Sequence, residues 1–189
     1  MILSGAADEL RAIACLGLRF LENPYDRERY EHILNASTRM IDVLEDRSSS
    51  EILSQFQDNL LHVSPLAGAE AAVFQDGKVL LIQRSDNQLW ALPGGLAEVG
   101  ETLVEAAQRE LREETGIHAQ MTQPLVVFVS RLWQSKSKAQ LYHVIFLAEP
   151  DGEVSPSFGL ETVDIGFFDA DHLPELAPGH HLRVPFCLK

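Results

Sequence analysis

The spacing of hydrophobic and polar positions changes near residue 65. Across residues 6–21 the apolar positions Leu10, Ile13, Ala14, Gly17, Leu18 and Leu21 recur every three or four residues, the stripe of an amphipathic helix. Asn23-Pro24 is expected to end it, because proline disfavours helical backbone at the residue before it. A second helix is predicted over residues 26–46, with Tyr30, Ile33, Leu34, Ser37, Ile41 and Leu44 on one face. Ser48 and Glu51 have the spacing of a capping box, so a third helix carrying Ile52, Leu53, Phe56, Leu60 and Leu61 should run toward Pro65.

Beyond that point the pattern is strand-like. Residues 69–75 and 78–84 read as two strands joined by Asp76-Gly77, a dipeptide suited to a type I′ hairpin turn. A second hairpin is expected from residues 125–133 and 140–149 around a polar loop at 134–138, and a last strand over 163–169. One strong helix, 101–115, interrupts the strands, and the segment from Pro178 carries too many Pro and Gly signals to assign. The pattern predicts a small all-α unit over residues 1–65 and an α/β domain over 66–189.

Composition narrows the function. No apolar run approaches the ~18 residues of a membrane span, and 46% hydrophobic with 23% charged residues is ordinary for a globular chain. A formal net charge of -13, with no local basic patch, argues against nucleic acid or an anionic membrane as partner. The expected partner is a small phosphorylated molecule whose charge is offset by cations. Asp8, Glu9, Arg11 and Arg19 interrupt the N-terminal apolar positions, so no signal peptide is read. Cys15 and Cys187 form neither a metal knuckle nor a disulfide framework, and a reducing cytoplasm is the expected location.

The candidate chemistry lies on the helix at 101–115. At about 100° per residue, Leu103, Ala106, Ala107, Glu110, Glu113 and Glu114 share one broad face, so the acids continue the apolar stripe toward the protein. Two such carboxylates about 5–6 Å apart, at an effective dielectric near 20, repel by about 3 kcal/mol before any desolvation cost. Divalent cations relieve both costs, and a cluster of hard oxygen donors suits Mg2+, with Mn2+ as a substitute. The preceding Leu92-Pro93-Gly94-Gly95 offers a rigid turn, then two residues whose bare backbone can approach a ligand.

Gly95, Glu101, Arg109-Glu110-Leu111, Glu113-Glu114 and Gly116-Ile117 fit the pattern G-x5-E-x7-R-E-L-x-E-E-x-G-I at all nine defined positions. In this the chain resembles the Nudix (MutT-like) hydrolases. Residues 79–84, Trp90 to Gly95, Glu161, Phe167-Phe168 and Leu173-Pro174 follow in the order of a Nudix domain. The resemblance implies an α/β/α sandwich around a mixed sheet, and hydrolysis in which water attacks a phosphorus of a diphosphate linkage. It also implies that Glu110, Glu113, Glu114 and the Gly95 carbonyl ligate metal. Arg109 would orient the acids, with Glu101 in support. The general base could be Glu114 or Glu113 within the motif, or Glu161 or Asp164 from the loop before the last strand, and the resemblance favours Glu161.

Substrate contacts are expected from Arg84, Trp90 and Arg131, although Trp90 could equally pack in the core. Lys136 and Lys138 read as solvated loop residues, His143 as a core or pocket-wall histidine, and His180-His181 carry no pattern. Glu9 to Ala14 and Pro24 to Tyr30 are similar to the helical extension of Nudix hydrolases that act on nucleoside diphosphates joined to another group. That similarity implies substrates such as ADP-ribose, CDP-choline or nucleotide sugars, and helices that cover a pocket or build a homodimer, with simple packing against the sheet as the alternative. The chain departs from one common group of ADP-ribose hydrolases, having no proline between Pro124 and Pro150. It also lacks, near Trp133, the tyrosine associated with diadenosine-polyphosphate hydrolases. Two alternatives stand: cleansing of modified nucleoside triphosphates, and a non-catalytic nucleotide-binding regulator, against which the intact acids argue.

Overall fold

The computed structural model describes residues 2–21, 23–44, 48–58, 60, 64–133 and 140–188. The chain divides into two compact units, the first within Met1–Pro65 and the second comprising Leu66–Lys136 with Gln140–Lys189.

The first unit is helical, with α1 (Ile2–Arg19), α2 (Pro24–Asp42) and α3 (Ser49–Asp58). Ala14, Cys15, Leu34, Ile52 and Phe56 are its buried centre, flanked by Leu18, Ile33, Ile41, Leu53 and Leu60. Asn23-Pro24 acts as a helix start rather than a stop. The Asn23 side chain accepts from the Tyr25 N–H at 3.0 Å, and Pro24 occupies the first turn, where its missing N–H removes no helical bond. α2 ends four residues earlier than the stripe suggested, and Leu44 is exposed. Ser37 lies on that stripe and is buried because its hydroxyl donates to the Ala7 carbonyl at 2.8 Å. The capping box of α3 is present, with Ser48 N–H donating to Glu51 at 3.0 Å and Glu51 N–H to the Ser48 hydroxyl at 3.4 Å. Leu61 lies outside the described residues.

The second unit contains β1 (Leu66–Gln75), β2 (Lys78–Arg84), β3 (Trp90–Ala91), β4 (Gly94–Leu96), α4 (Leu103–Thr115), β5 (Ala119–Val129), a 3-10 turn (Ser130–Leu132), β6 (Leu141–Pro150), β7 (Thr162–Phe168) and α5 (His180–Cys187). The strands lie in the order β3-β2-β1-β6-β5, with β4 added to β1 and β7 to β2. Only β1 and β6 run parallel among these pairs, so the sheet is mixed. Asp76 and Gly77 both have positive φ, 50° and 76°, as a type I′ turn requires.

Successive strand residues point to opposite faces, and both faces are covered. Ala71, Val73 and Leu80 pack with Leu111 and Ile117 on the α4 side. Ala72, Val79 and Leu81 pack with Val184 of α5 on the other. This is the expected α/β/α arrangement. β3 and β4, with two and three residues, are too short to show a period, and α5 carries Pro185 within its eight residues. The polar loop expected at 134–138 lies outside the described residues, as do Lys136 and Lys138.

Candidate active site

α4 begins two residues later than its pattern suggested, because Thr102 caps it. Thr102 N–H donates to Glu105 at 2.8 Å, and Glu105 N–H returns a bond to the Thr102 hydroxyl at 3.2 Å. Glu101 therefore precedes the helix and escapes the rotation that would have placed it opposite Glu110. α4 buries Ala106, Ala107, Leu111, Glu114 and Thr115. The expectation that all three acids turn inward holds for Glu114 and in part for Glu110, whose side chain is 17% exposed. It fails for Glu113, whose side chain is 53% exposed. The buried arc centres near Ala107 and Glu114, and Glu113 lies about 100° from Glu114, at the edge of that arc.

The acids have distinct partners. Glu114 accepts from the Gly94 N–H at 2.8 Å. Glu110 lies against Gly95 so closely that a Cβ there would fall 2.3 Å from Glu110 Oε1 and would push that carboxylate aside. Arg109 donates Nε and Nη2 to the two oxygens of Glu101 at 2.7 and 3.1 Å, and Nη1 to Glu110 at 2.9 Å and Glu113 at 3.2 Å. Its Nη2 also reaches the Leu96 carbonyl at 3.1 Å, tying the helix to β4. These carboxylates, Glu101 foremost, hold the guanidinium firmly in its charged form. Among the described residues no three metal-binding side chains converge, and Glu110 and Glu113 are drawn onto Arg109 instead.

A cavity of about 330 Å³ is lined by Arg84, Ser85, Asp86, Glu114 and Glu161. The fold thus brings together three predicted residues: Arg84 from the end of β2, Glu114 from α4, and Glu161 from the loop before β7. Burial pushes the Glu114 carboxyl up to about 8, with Glu110 and Glu161 adding to the rise against the Gly94 N–H and Arg84. Arg84 makes two parallel bonds to Asp86, Nε to Oδ1 and Nη2 to Oδ2, both at 3.0 Å. Glu161 is placed by backbone. Ser157 N–H donates to Thr115 O at 2.8 Å, Gly159 N–H to Glu114 O at 3.2 Å, and Ser85 N–H to Glu161 O at 2.9 Å. The loop therefore sits on the last carbonyls of α4, which have no partner within the helix.

Other expected residues lie elsewhere. Trp90 packs edge-on against Phe168 with ring centroids 4.8 Å apart, joins the core, and does not line the cavity. Arg131 is exposed on the 3-10 turn, and Asp164 is exposed on β7; neither lines the cavity. His143 and His180 belong to a buried polar cluster that sequence reasoning missed. Arg183 Nη1 pairs with Glu70 Oε1, and His143 Nδ1 lies 2.9 Å from the same oxygen. Burial opposes the Glu70 charge, but Arg183, His180 and His143 together outweigh it and hold the carboxyl at about 2. His180, pushed to about 3 by burial, accepts from the Leu92 N–H through Nδ1 at 3.1 Å. Positions 70, 143, 180 and 183 share no local pattern. Asp86 was also missed, its only signal being its place two residues after Arg84.

A family described as NUDIX domain matches residues 65–186, and one described as UDP-X-like, N-terminal oligomerisation domain matches residues 3–56. The Bacillus subtilis protein YjhB is 33% identical over 172 residues, covering 91% of this chain and 83% of that protein. An ADP-ribose pyrophosphatase of Methanocaldococcus jannaschii is 32% identical over 123 residues, 64% of this chain and 71% of its own. The crystal structure of a UDP-X diphosphatase superposes with a TM-score of 0.61 at 30% identity, covering 98% of this chain and 92% of that one. With the acidic helix, its clamping arginine and its glycine loop in place, the chain belongs to the Nudix family and is a pyrophosphohydrolase with a UDP-X-like N-terminal domain.

Proposed function

We propose that the protein is a Mg2+-dependent hydrolase, with Mn2+ as a substitute. It cleaves the diphosphate linkage of a nucleoside diphosphate joined to another moiety, of the ADP-ribose, CDP-choline or nucleotide-sugar type. The observation that carries this reading is Glu114, a buried carboxyl at a cavity wall shared with Glu161 and Arg84. An acid desolvated beside other acids suits a bound cation, and the cradle where Glu110 meets the bare backbone of Gly95 fits the same purpose. The names of the M. jannaschii relative and of the UDP-X diphosphatase support a diphosphate bridge as substrate.

Glu110, Glu113, Glu114 and the Gly95 carbonyl would hold the metal, hard oxygen donors all. When bound, magnesium supplies Lewis acidity at the phosphoryl oxygens and orients the nucleophile. Arg109, anchored on Glu101 and Leu96, keeps the acids along the cavity edge. Arg84 offers donors to a non-bridging phosphate oxygen. Glu161 takes a proton from the attacking water, the oxygen bonds to phosphorus, and the bond from that phosphorus to the bridging oxygen breaks. Two monophosphates leave. The N-terminal unit, matched by an oligomerisation domain, supports a homodimer.

The test is a hydrolysis panel of ADP-ribose, CDP-choline, nucleotide sugars and oxidised nucleoside triphosphates, with and without Mg2+. Glu114→Gln should lose most of the turnover. Metal-independent activity, or equal activity in that variant, refutes the mechanism. Unchanged turnover in Glu161→Gln, with metal affinity measured separately, removes Glu161 as base.

A further inference from the structure

We propose that Asp86 limits the phosphate charge the cavity accepts, favouring a diphosphate bridge over a nucleoside triphosphate. The inference rests on the cavity being the substrate site. Of the described residues lining it, Asp86, Glu114 and Glu161 are carboxylic acids and Arg84 is the cation. Arg84 is only partly free for phosphate. Its Nε and Nη2 are both committed to Asp86 at 3.0 Å, the geometry a phosphate would otherwise claim.

Asp86 cannot simply swing away with its turn, because the turn is bonded on all sides. Arg84 N–H donates to Leu89 O at 3.0 Å and Gln88 N–H to Arg84 O at 2.9 Å. Leu89 N–H donates to Asn87 Oδ1 at 2.9 Å, and Gln83 Nε2 to Gln88 O at 2.8 Å. Ser85 N–H is held by Glu161 O at 2.9 Å. A phosphate reaching the remaining edge of the guanidinium therefore shares it with the Asp86 carboxylate that this turn presents.

The two substrate classes feel this carboxylate differently. Each phosphate of a diphosphate bridge carries one ionised oxygen, whereas a terminal phosphate, with a second pKa near 6, carries close to two charges. A nucleoside triphosphate therefore brings about two more charges than ADP-ribose. At about 7 Å, in a water-like dielectric of about 80 that suits an exposed aspartate, each added charge weakens binding about threefold, and two weaken it close to tenfold.

The test compares the wild type with Asp86→Asn and with Asp76→Asn, which removes the same charge at the opposite end of β2. Dissociation constants for ADP-ribose and ATP are measured by calorimetry in EDTA, and kcat/KM for both with Mg2+. In Asp86→Asn the preference for ADP-ribose over ATP should fall close to tenfold in the EDTA binding ratio, while Asp76→Asn keeps the wild-type ratio. An unchanged ratio in Asp86→Asn, or the same change in Asp76→Asn, overturns the proposal. If neither compound is hydrolysed by the wild type, the hydrolytic assignment fails, and the binding ratio still decides the role of Asp86.

Discussion

Replacing Gly159 by alanine should slow turnover sharply while leaving the protein folded. A Cβ at Gly159 would lie 2.1 Å from Glu113 O and 2.9 Å from Glu114 Cα, both backbone atoms that cannot turn aside. Relief requires the loop to retreat from α4 by about 1 Å, and a misplacement of that size costs about a hundredfold in rate when it moves a reacting group. The retreat stretches the 3.2 Å bond from Gly159 N–H to Glu114 O and carries Glu161 away from the cavity. Stability should fall by about 1–3 kcal/mol, the usual cost of overpacking. KM should change little, because Arg84 stays in place. The control is Gly152→Ala on the same loop, where a Cβ meets nothing within 4 Å and activity should be unchanged. The assay is initial-rate hydrolysis of ADP-ribose with Mg2+, alongside thermal melts. A double variant with Glu161→Gln shows the route of the effect: if Gly159 acts by seating Glu161, the double variant is no slower than Glu161→Gln alone. Full kcat in Gly159→Ala, or an equal loss in Gly152→Ala, refutes the reasoning.

Further outcomes follow from the same geometry. Because burial raises the metal-free Glu114 carboxyl to about 8, a metal must displace its proton, so Mn2+ affinity should rise about tenfold per pH unit up to pH 8 and level off above it. Calorimetry in buffers of different ionisation enthalpy should show a proton released per binding event, and persistence of that proton in Glu114→Gln rules the linkage out. Glu70 is depressed from 4.5 to about 2, so its stabilisation is fully present above pH 4.5 and is lost as pH falls toward 2. Glu70→Gln should destabilise the protein by about 3–5 kcal/mol near neutrality by leaving buried Arg183 unpaired, which denaturant melts would measure. Arg109→Lys should weaken metal binding about 10- to 100-fold, since an ammonium cannot span Glu101, Glu110 and Glu113; unaltered affinity contradicts the clamp.

The part of the site that sequence conveyed is the part carried by side chains at fixed helical spacing. Glu110 and Glu114 could be aimed at the protein from rotation alone, and Gly95 could be marked as a place where backbone comes close. Rotation misjudged Glu113, because the buried arc of a helix has an edge whose position depends on what packs there. It could not place Glu101 either, since a cap at Thr102 moved the helix start by two residues. Glu161 was within reach only through resemblance: what holds it beside Glu114 is a set of backbone bonds from Ser157, Gly159 and Ser85, and backbone bonds leave no residue-type signature. In the helical unit, Asn23-Pro24 was legible as a boundary but ambiguous in direction, for the same pair can stop one helix and cap the next.

The C-terminal helix shows why an unpatterned segment can still bear on the site. The Leu92-Pro93-Gly94-Gly95 stretch must hold its shape for Glu114 and Glu110 to keep their places. Its Gly94 N–H is taken by Glu114 at 2.8 Å, and its Leu92 N–H by His180 of α5 at 3.1 Å. Between them, Pro93 O accepts from Ala71 N–H of β1 at 2.9 Å. Beneath Gly94 lies Glu70, whose Cγ would be 2.7 Å from any added Cβ and whose carboxylate is fixed by Arg183, one turn along from His180. α5 thus grips the glycine loop twice, once through a neutral imidazole that must accept and once through a buried ion pair that fixes Glu70. A helix of eight residues with a proline near its end has no periodicity to announce this. Its contribution is set by two side chains, His180 and Arg183, whose partners, Leu92 and Glu70, lie 88 and 113 residues earlier in the chain.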